Sequence, residues 1–466
     1  MKKQFIISSL VLLLGTAACT NRLDIQPRQS IDAATALTND QDVTSAIIGA
    51  YGQLGAGALY GTNFNLLAEL QGNTVGYLTW RGTFASYREV ANKTYNNSNT
   101  EAQRTWLAAY AAINNVNGVL NALNVVQNAD LRKTLEGEAR LIRGILFFEL
   151  VRYYALPWNA RPNNTQPGLP LVLTPSATVD QANTQTPRST VAQTYAQILD
   201  DLTKAASLLP DDNGVRADKY TAQAFLARVY LQQENYAGAL ASANTIISSN
   251  VYRLNPSVAA AFRNRNTQES IFEIQQNDQN NAGTANDGLT TFYASIPTAE
   301  GSVGRGDVAV SNTFINSYAA NDARRTELFY SAFRGGTSTG KFTDFAANIP
   351  IIRLAEMYLV RAEANLRLGS QVGATPLADI NLVRARAGVA PLTGTLTLAQ
   401  ILQERRWELA FEGHRIHDVK RFRETLIRRN SDGTETRFNW DSPRLVLPIP
   451  KREIDVNPAI EQNEGY

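Results

Sequence analysis

The stretch TAQAFLARVYLQQENYAGALASANTIISS, Thr221–Ser249, holds two apolar-faced halves around a polar turn. Leu226, Ala227 and Tyr230 recur at helical spacing in the first half, Tyr236 marks the turn, and Ala239 and Ala243 place small residues in the second. This is the pattern of a tetratricopeptide-type helix pair, whose small residues let the second helix approach the first closely. One such pair cannot bury its apolar face alone, so it belongs in a stack. The plainer alternative is a generic helical hairpin, and the flanking segments bear on the choice.

Helical periodicity continues on both sides. In 100–123, Trp106, Tyr110, Ile113, Asn117 and Leu120 fall three or four apart; in 131–155, Leu135, Ala139, Ile142, Ile145 and Phe148 do the same, with Pro157 beyond the end. Val191, Tyr195, Ile198, Leu202 and Ala205 line a further helix, expected to start at a Ser189 cap and to stop at Pro210. Nearer the N-terminus, Asn39 followed by Asp42 predicts a capped helix over about 40–55. Helices return in 351–369, 376–388 and 398–426.

Between 251 and 349 the periodicity lapses, Gly, Asn, Ser and Thr dominate, and Ile271–Ile274 reads as a short strand. A region this long is not one structureless loop. The expected fold is mostly α: tetratricopeptide-like helices over about 38–250 and 350–430 with a loop-rich, partly β subregion at about 251–349 packed on them, in a chain long enough for one domain or two.

The first residues, MKKQFIISSLVLLLGTAACTN, have the parts of an export signal: Lys2 and Lys3, an apolar run from Phe5 to Leu14, then small residues up to Cys19. The run is shorter than the roughly 20 residues a membrane span requires. Cys19 is the sole cysteine of the 466-residue chain. Its position suggests a lipobox, with cleavage after residue 18, acylation of Cys19 and a tether over 19–37; Thr16 stands where Leu is usual, and an ordinary secretory signal is the alternative. Acyl chains, at about 0.8 kcal/mol per buried CH₂, would attach the mature chain to a membrane.

Lys and Arg number 44 against 42 Asp and Glu, without long charge runs, so nothing calls for nucleic acid. His414 and His417 are the two histidines, and an HxxH spacing with Glu412 nearby could present metal ligands. A structural helix accounts for them more simply. Glu404, Glu408 and Glu412, interleaved with Arg405 and Arg406, and Glu356 and Glu363 with Arg353 and Arg361, read as charge networks between helices, since paired hydrolytic acids face each other across a cleft. GGTSTGK at 335–341 lacks the Ser or Thr that a phosphate loop needs next; Phe342 follows. In 277–288, Asp278, Asn280 and Asp287 offer the hard oxygens calcium takes, but the twelfth position from Asp278 is Leu289, which does not fit an EF-hand, and a solvated loop is the plainer reading.

Taken in order, LDIQP (23–27), EARLIRGILFFELVRYYA (138–155), GLPLVL (168–173), PRSTVAQTYAQILDDLTKAASLLP (187–210), AQAFLARVYL (222–231), ESIFEI (269–274), RLAEMYLVRAEA (353–364), INLVRARAG (380–388), ERRWELAFEGHRIHDVKRF (404–422) and PIPKREIDVNPAIEQNEGY (448–466) resemble the SusD/RagB family of outer-membrane nutrient-binding lipoproteins. Ala155 and His417 depart from the usual residues. The resemblance implies a single domain spanning 38–466 on a tetratricopeptide-like scaffold, with the 251–349 insert on the ligand side, in an outward-facing, non-enzymatic binding protein at the outer membrane. It would sit as a lid on a SusC-like TonB-dependent transporter and capture glycans or other large nutrients. It assigns no ligand residue, because these vary with the cargo.

Sugars present apolar C–H faces rimmed by hydroxyls, which aromatic rings and amide or guanidinium groups match. The stretch 70–97 has that composition, and it makes Trp80, Tyr77, Tyr87, Asn73 and Arg81 the ligand candidates, with Tyr293 of the 287–296 stretch as a second. Rivals are a peptide or glycoprotein cargo, an assembly lipoprotein that captures no glycan, and a glycoside hydrolase.

Overall fold

The computed structural model describes residues 36–466; the signal segment 1–18, Cys19 and most of the 19–37 tether lie outside the described residues. Helix α1 (Asp40–Leu54) starts where Asn39 Oδ1 accepts the amides of Gln41 and Asp42. Asp42 returns its carboxylate to Thr38, one residue before the cap. After α2 (Asn63–Gln71), strand β1 (Leu78–Trp80) and α3 (Ala85–Asn92), α4 (Thr100–Asn121) leads into α5 (Ala129–Tyr154). Every residue of α5 from Leu141 to Tyr154 is buried. An interior helix of this kind shows no clean apolar stripe because neighbours cover it all round.

Helix α6 (Val191–Leu208) packs on α5, and a Cβ on Gly144 would meet Leu202 at 3.0 Å, so the glycine sets the close approach. Its cap is Thr190, not Ser189: Thr190 and Gln193 exchange both bonds of a capping box, which a serine one residue earlier cannot close. The helix pair α7 (Lys219–Gln232) and α8 (Tyr236–Ser249) follows, with Ala239 and Ala243 fully buried. Tyr236 is the first residue of α8, not part of the turn; Asn235 caps the helix.

Contacts run α4–α5–α6–α7–α8 and then directly to α10 (Leu354–Leu368), which carries α11 (Pro376–Arg386) and α12 (Leu398–Glu408). The stack is therefore continuous in space across the insert. The insert's two ends are joined by β2 (Ser270–Ile274) pairing antiparallel with β8 (Ile349–Arg353), in register Ile349↔Ile274. Within it lie α9 (Leu289–Tyr293), the hairpin β3 (Ile296–Thr298) and β4 (Gly301–Val303), and strands β5 (Val308–Val310), β6 (Phe329–Ser331) and β7 (Thr337–Thr339). A four-stranded antiparallel sheet in the order β1-β5-β7-β6 ties the insert to the 70–97 stretch through Leu78↔Val310 and Trp80↔Val308.

The acids of α12 form buried charge networks. Arg324 meets Glu404 at 2.6 Å, and Arg353 meets Glu269, Glu408 and Glu412 at 2.6, 3.2 and 2.7 Å. Lys341 meets Glu412 at 2.6 Å, so the lysine of the GGTSTGK stretch is a structural cation; Gly335 and Gly336 turn the hairpin before β7 with positive φ. Glu356 pairs with Arg228, and Glu363 with Arg421. Helix α13 (Arg415–Phe422) and the hairpin β9 (Leu426–Arg429) and β10 (Glu435–Phe438) complete the part used below.

Candidate ligand-binding surface

The 70–97 stretch is neither helix nor loop throughout, and its strand turns Trp80 inward. In β1, Leu78 and Trp80 point into the body while Thr79 is exposed. Trp80, 7 % exposed, packs on Tyr87 and Phe292 with ring centroids 5.1 and 5.7 Å away. Tyr87 donates to Asn63 Oδ1 at 2.7 Å and receives a bond from Arg104. Tyr77 donates to the buried Glu69, stacks on Phe411 at 5.6 Å and lies beneath Arg406. Burial raises the Tyr77 hydroxyl well above its ordinary range, and the neighbouring Glu69 adds to the rise. Tyr293 is fully buried between Phe342 and Phe411.

These four rings were the expected stacking surfaces, and the structure corrects that: they form a buried floor, because each packs against other rings, and strand alternation adds to this for Trp80 alone. Asn73 is half-buried and accepts the Leu78 amide, holding the turn before β1. Asn73 and Trp80 line one cavity of about 360 Å³. Arg81 is exposed.

Above the floor stand residues that sequence reasoning missed. Phe84 is half-buried, edge-on to Tyr87 and Phe292 at 6.2 and 5.9 Å. The Arg305 guanidinium lies 5.0 Å over its ring and also reaches Asp307 at 3.0 Å and Thr83 Oγ1 at 2.9 Å. Phe333 is 58 % exposed at the tip of the β6–β7 hairpin. That tip is fixed by Phe333 N to Ser295 O (2.9 Å), Arg334 N to Ser295 Oγ (3.2 Å) and Arg81 Nη1 to Gly335 O (2.9 Å). Loops 81–84, 295–306 and 332–336 thus make one laced surface with two accessible rings and the guanidiniums of Arg81 and Arg305. Stacking with flanking hydrogen bonds is what such a surface can do. The one available signal for Phe333 was a lone aromatic beside two glycines in a turn.

Neither histidine gathers ligands. His414 Nδ1 faces Arg405 at 3.3 Å, His417 lies edge-on to Tyr153, and burial next to arginines holds both well below the usual imidazole range. Among the described residues no three His, Cys, Asp or Glu side chains cluster as a metal site. Of the calcium candidates, Asp287 is engaged by Arg104 at 2.7 Å and by Thr62 at 2.7 Å, while Asp278 and Asn280 are exposed.

Two family models match the chain: one described as "SusD family" over residues 337–466, the other as "Starch-binding associating with outer membrane" over 23–231. SusD-like protein P2 of Formosa agariphila is 26 % identical over the full length of both chains. The starch-binding protein SusD of Bacteroides thetaiotaomicron is 34 % identical, over 26 % of this chain and 22 % of its own. A crystal structure from Bacteroides vulgatus, described as a putative sugar binding protein, superposes with a TM-score of 0.80 at 26 % identity, covering 93 % of this chain and 100 % of that one. The architecture, a helical-repeat scaffold with a loop-rich β insert, is shared with that crystal structure. The chain belongs to the SusD/RagB family.

Proposed function

We propose that this chain is a surface-facing outer-membrane lipoprotein, anchored through Cys19, that captures oligosaccharides and delivers them to a SusC-like TonB-dependent transporter without breaking bonds. The observation that carries the reading is the laced surface of loops 81–84, 295–306 and 332–336. It offers Phe84 and Phe333 to sugar faces, and Arg81 and Arg305 to the hydroxyl rim. Similarity to a starch-binding protein and to a protein described as a putative sugar binding protein supports the cargo class. The candidate acids Glu404 and Glu408 of α12 are paired with arginines, and Glu412 beyond it with Arg353 and Lys341, which supports a binding role over hydrolysis. Capture by stacking and hydrogen bonding requires no cofactor.

Affinity electrophoresis through gels containing a panel of polysaccharides tests the capture step. Retardation by at least one glycan, with no shortened products released, is the expected result. No retardation by any glycan would favour a peptide cargo or an assembly role. Co-purification with a TonB-dependent transporter from detergent-solubilised outer membranes tests delivery.

A further inference from the structure

The cavity beside Trp80 lies between the approach to β1, the end of α3 and strand β9. Its walls are pinned: Val75 N donates to Ile427 O at 2.9 Å and Ile427 N to Thr74 Oγ1 at 3.0 Å. Four cations line it, Arg88, Lys93, Arg428 and Arg429, and no carboxylate does. Lys93 is 4 % exposed and its Nζ donates to the carbonyls of Asn73 and Ala91. Arg428 donates to Asn430 Oδ1, Asn92 O and Thr436 Oγ1, and Arg88 to Gly82 O at 2.6 Å. Only Arg429 has an acid near it, Glu435 at 3.9 Å on an exposed rim.

Four arginines of the helical scaffold are arranged differently. Arg143, Arg228, Arg353 and Arg421 are buried and each faces a carboxylate, whereas of the cavity's cations Lys93 alone is fully buried, Arg428 is half-buried, and Arg88 and Arg429 are exposed. Gathering like charges against neutral oxygens costs free energy that an anion would offset. Consistent with this, burial together with Arg415 and Arg428 pulls the Lys93 ammonium down to about 7.

We infer that this cavity binds an oxyanion, a carboxylate or sulfate carried by the captured glycan, so that the cargo is an acidic polysaccharide. The inference rests on the capture reading. Arg88 holds Gly82 of the 81–84 loop, so the cavity adjoins the stacking surface and one chain of sugars can reach both.

The test uses the purified protein with polygalacturonate, dextran sulfate and neutral amylopectin and galactan in affinity gels, alongside Arg428→Gln and Arg88→Gln. Thermal melts in sodium sulfate against sodium chloride at equal ionic strength accompany them. Retardation by an acidic polymer, weakened about tenfold in either variant while its melting profile stays that of the parent, is the expected result. Arg88 is exposed and makes one bond, so its variant keeps the test sound if Arg428→Gln unfolds. Retardation by neutral polymers alone overturns the inference and leaves capture standing. If no polymer binds but sulfate raises the melting temperature of the parent and not of the variants, the cavity takes free anions and the acidic-glycan assignment falls. If neither occurs, both the cavity assignment and capture fail.

Discussion

Lys420 shows how much a single buried charge can weigh. It is buried on α13, its Nζ donates to Arg152 O at 2.7 Å, and among the described residues no carboxylate lies within ion-pair distance. Burial, with Arg152 adding to it, pulls its ammonium down to about 7. The folded chain then releases a proton that the unfolded chain keeps up to its ordinary lysine range. The contribution is thus harmless above about pH 10.5 and destabilising as pH falls towards 7. Lys420→Met should therefore raise unfolding free energy by about 1–3 kcal/mol at pH 6.5 and by less at pH 9.5. Urea melts at the two pH values measure this, and an equal effect at both would contradict it. Residue identity in the sequence showed that Trp80, Tyr77 and Tyr87 were aromatic, but not which way they point. A three-residue strand such as β1 has too few positions for its period of two to declare an inner face.

Among elements, the α7–α8 pair is the most legible. Its apolar residues repeat at helical spacing and its alanines lie where two helices touch. A Cβ on Gly238 would already meet the Tyr230 ring at 2.8 Å, which shows how little room the contact leaves. Ala243→Leu should cost about 1–3 kcal/mol through overpacking, read as a lowered melting temperature with unchanged helicity at 20 °C. An unaltered melt would mean the two helices are not packed as described. The sheet was far less legible, because β1 and β5 are brief and pair residues as distant as Leu78 and Val310. Ile271–Ile274 was readable because Ile271, Phe272 and Ile274 put three β-favouring residues in a run of four, and it pairs as β2.

At the scale of the whole molecule, the insert is held to the scaffold by charge as well as by the sheet. Arg353 at the start of α10 joins Glu269 of the insert to Glu408 and Glu412 after it. Neighbouring cations hold Glu408 and Glu412 below the usual carboxylate range against the opposing effect of burial. Arg353→Met would leave three buried carboxylates short of a partner and should cost about 3–5 kcal/mol. Denaturant unfolding checks this, and a loss under about 1 kcal/mol would show that the network is not structural. The sequence made the acids visible as a network by their arginine neighbours, yet could not name partners from the insert, since Glu269, Arg324 and Lys341 reach them only through the tertiary fold.

The central claim is that a glycan is held on the surface that Phe84, Phe333, Arg81 and Arg305 build over the buried floor. The most direct measurement is calorimetric titration of the captured oligosaccharide into the parent, the Phe84→Ala/Phe333→Ala double variant, and Tyr195→Phe, a change on α6 outside that surface, as a folding control. Affinity about tenfold weaker or worse in the double variant, with the control at parental affinity and both variants melting like the parent, is the predicted result. Undiminished affinity in the double variant would place the glycan elsewhere and contradict the account.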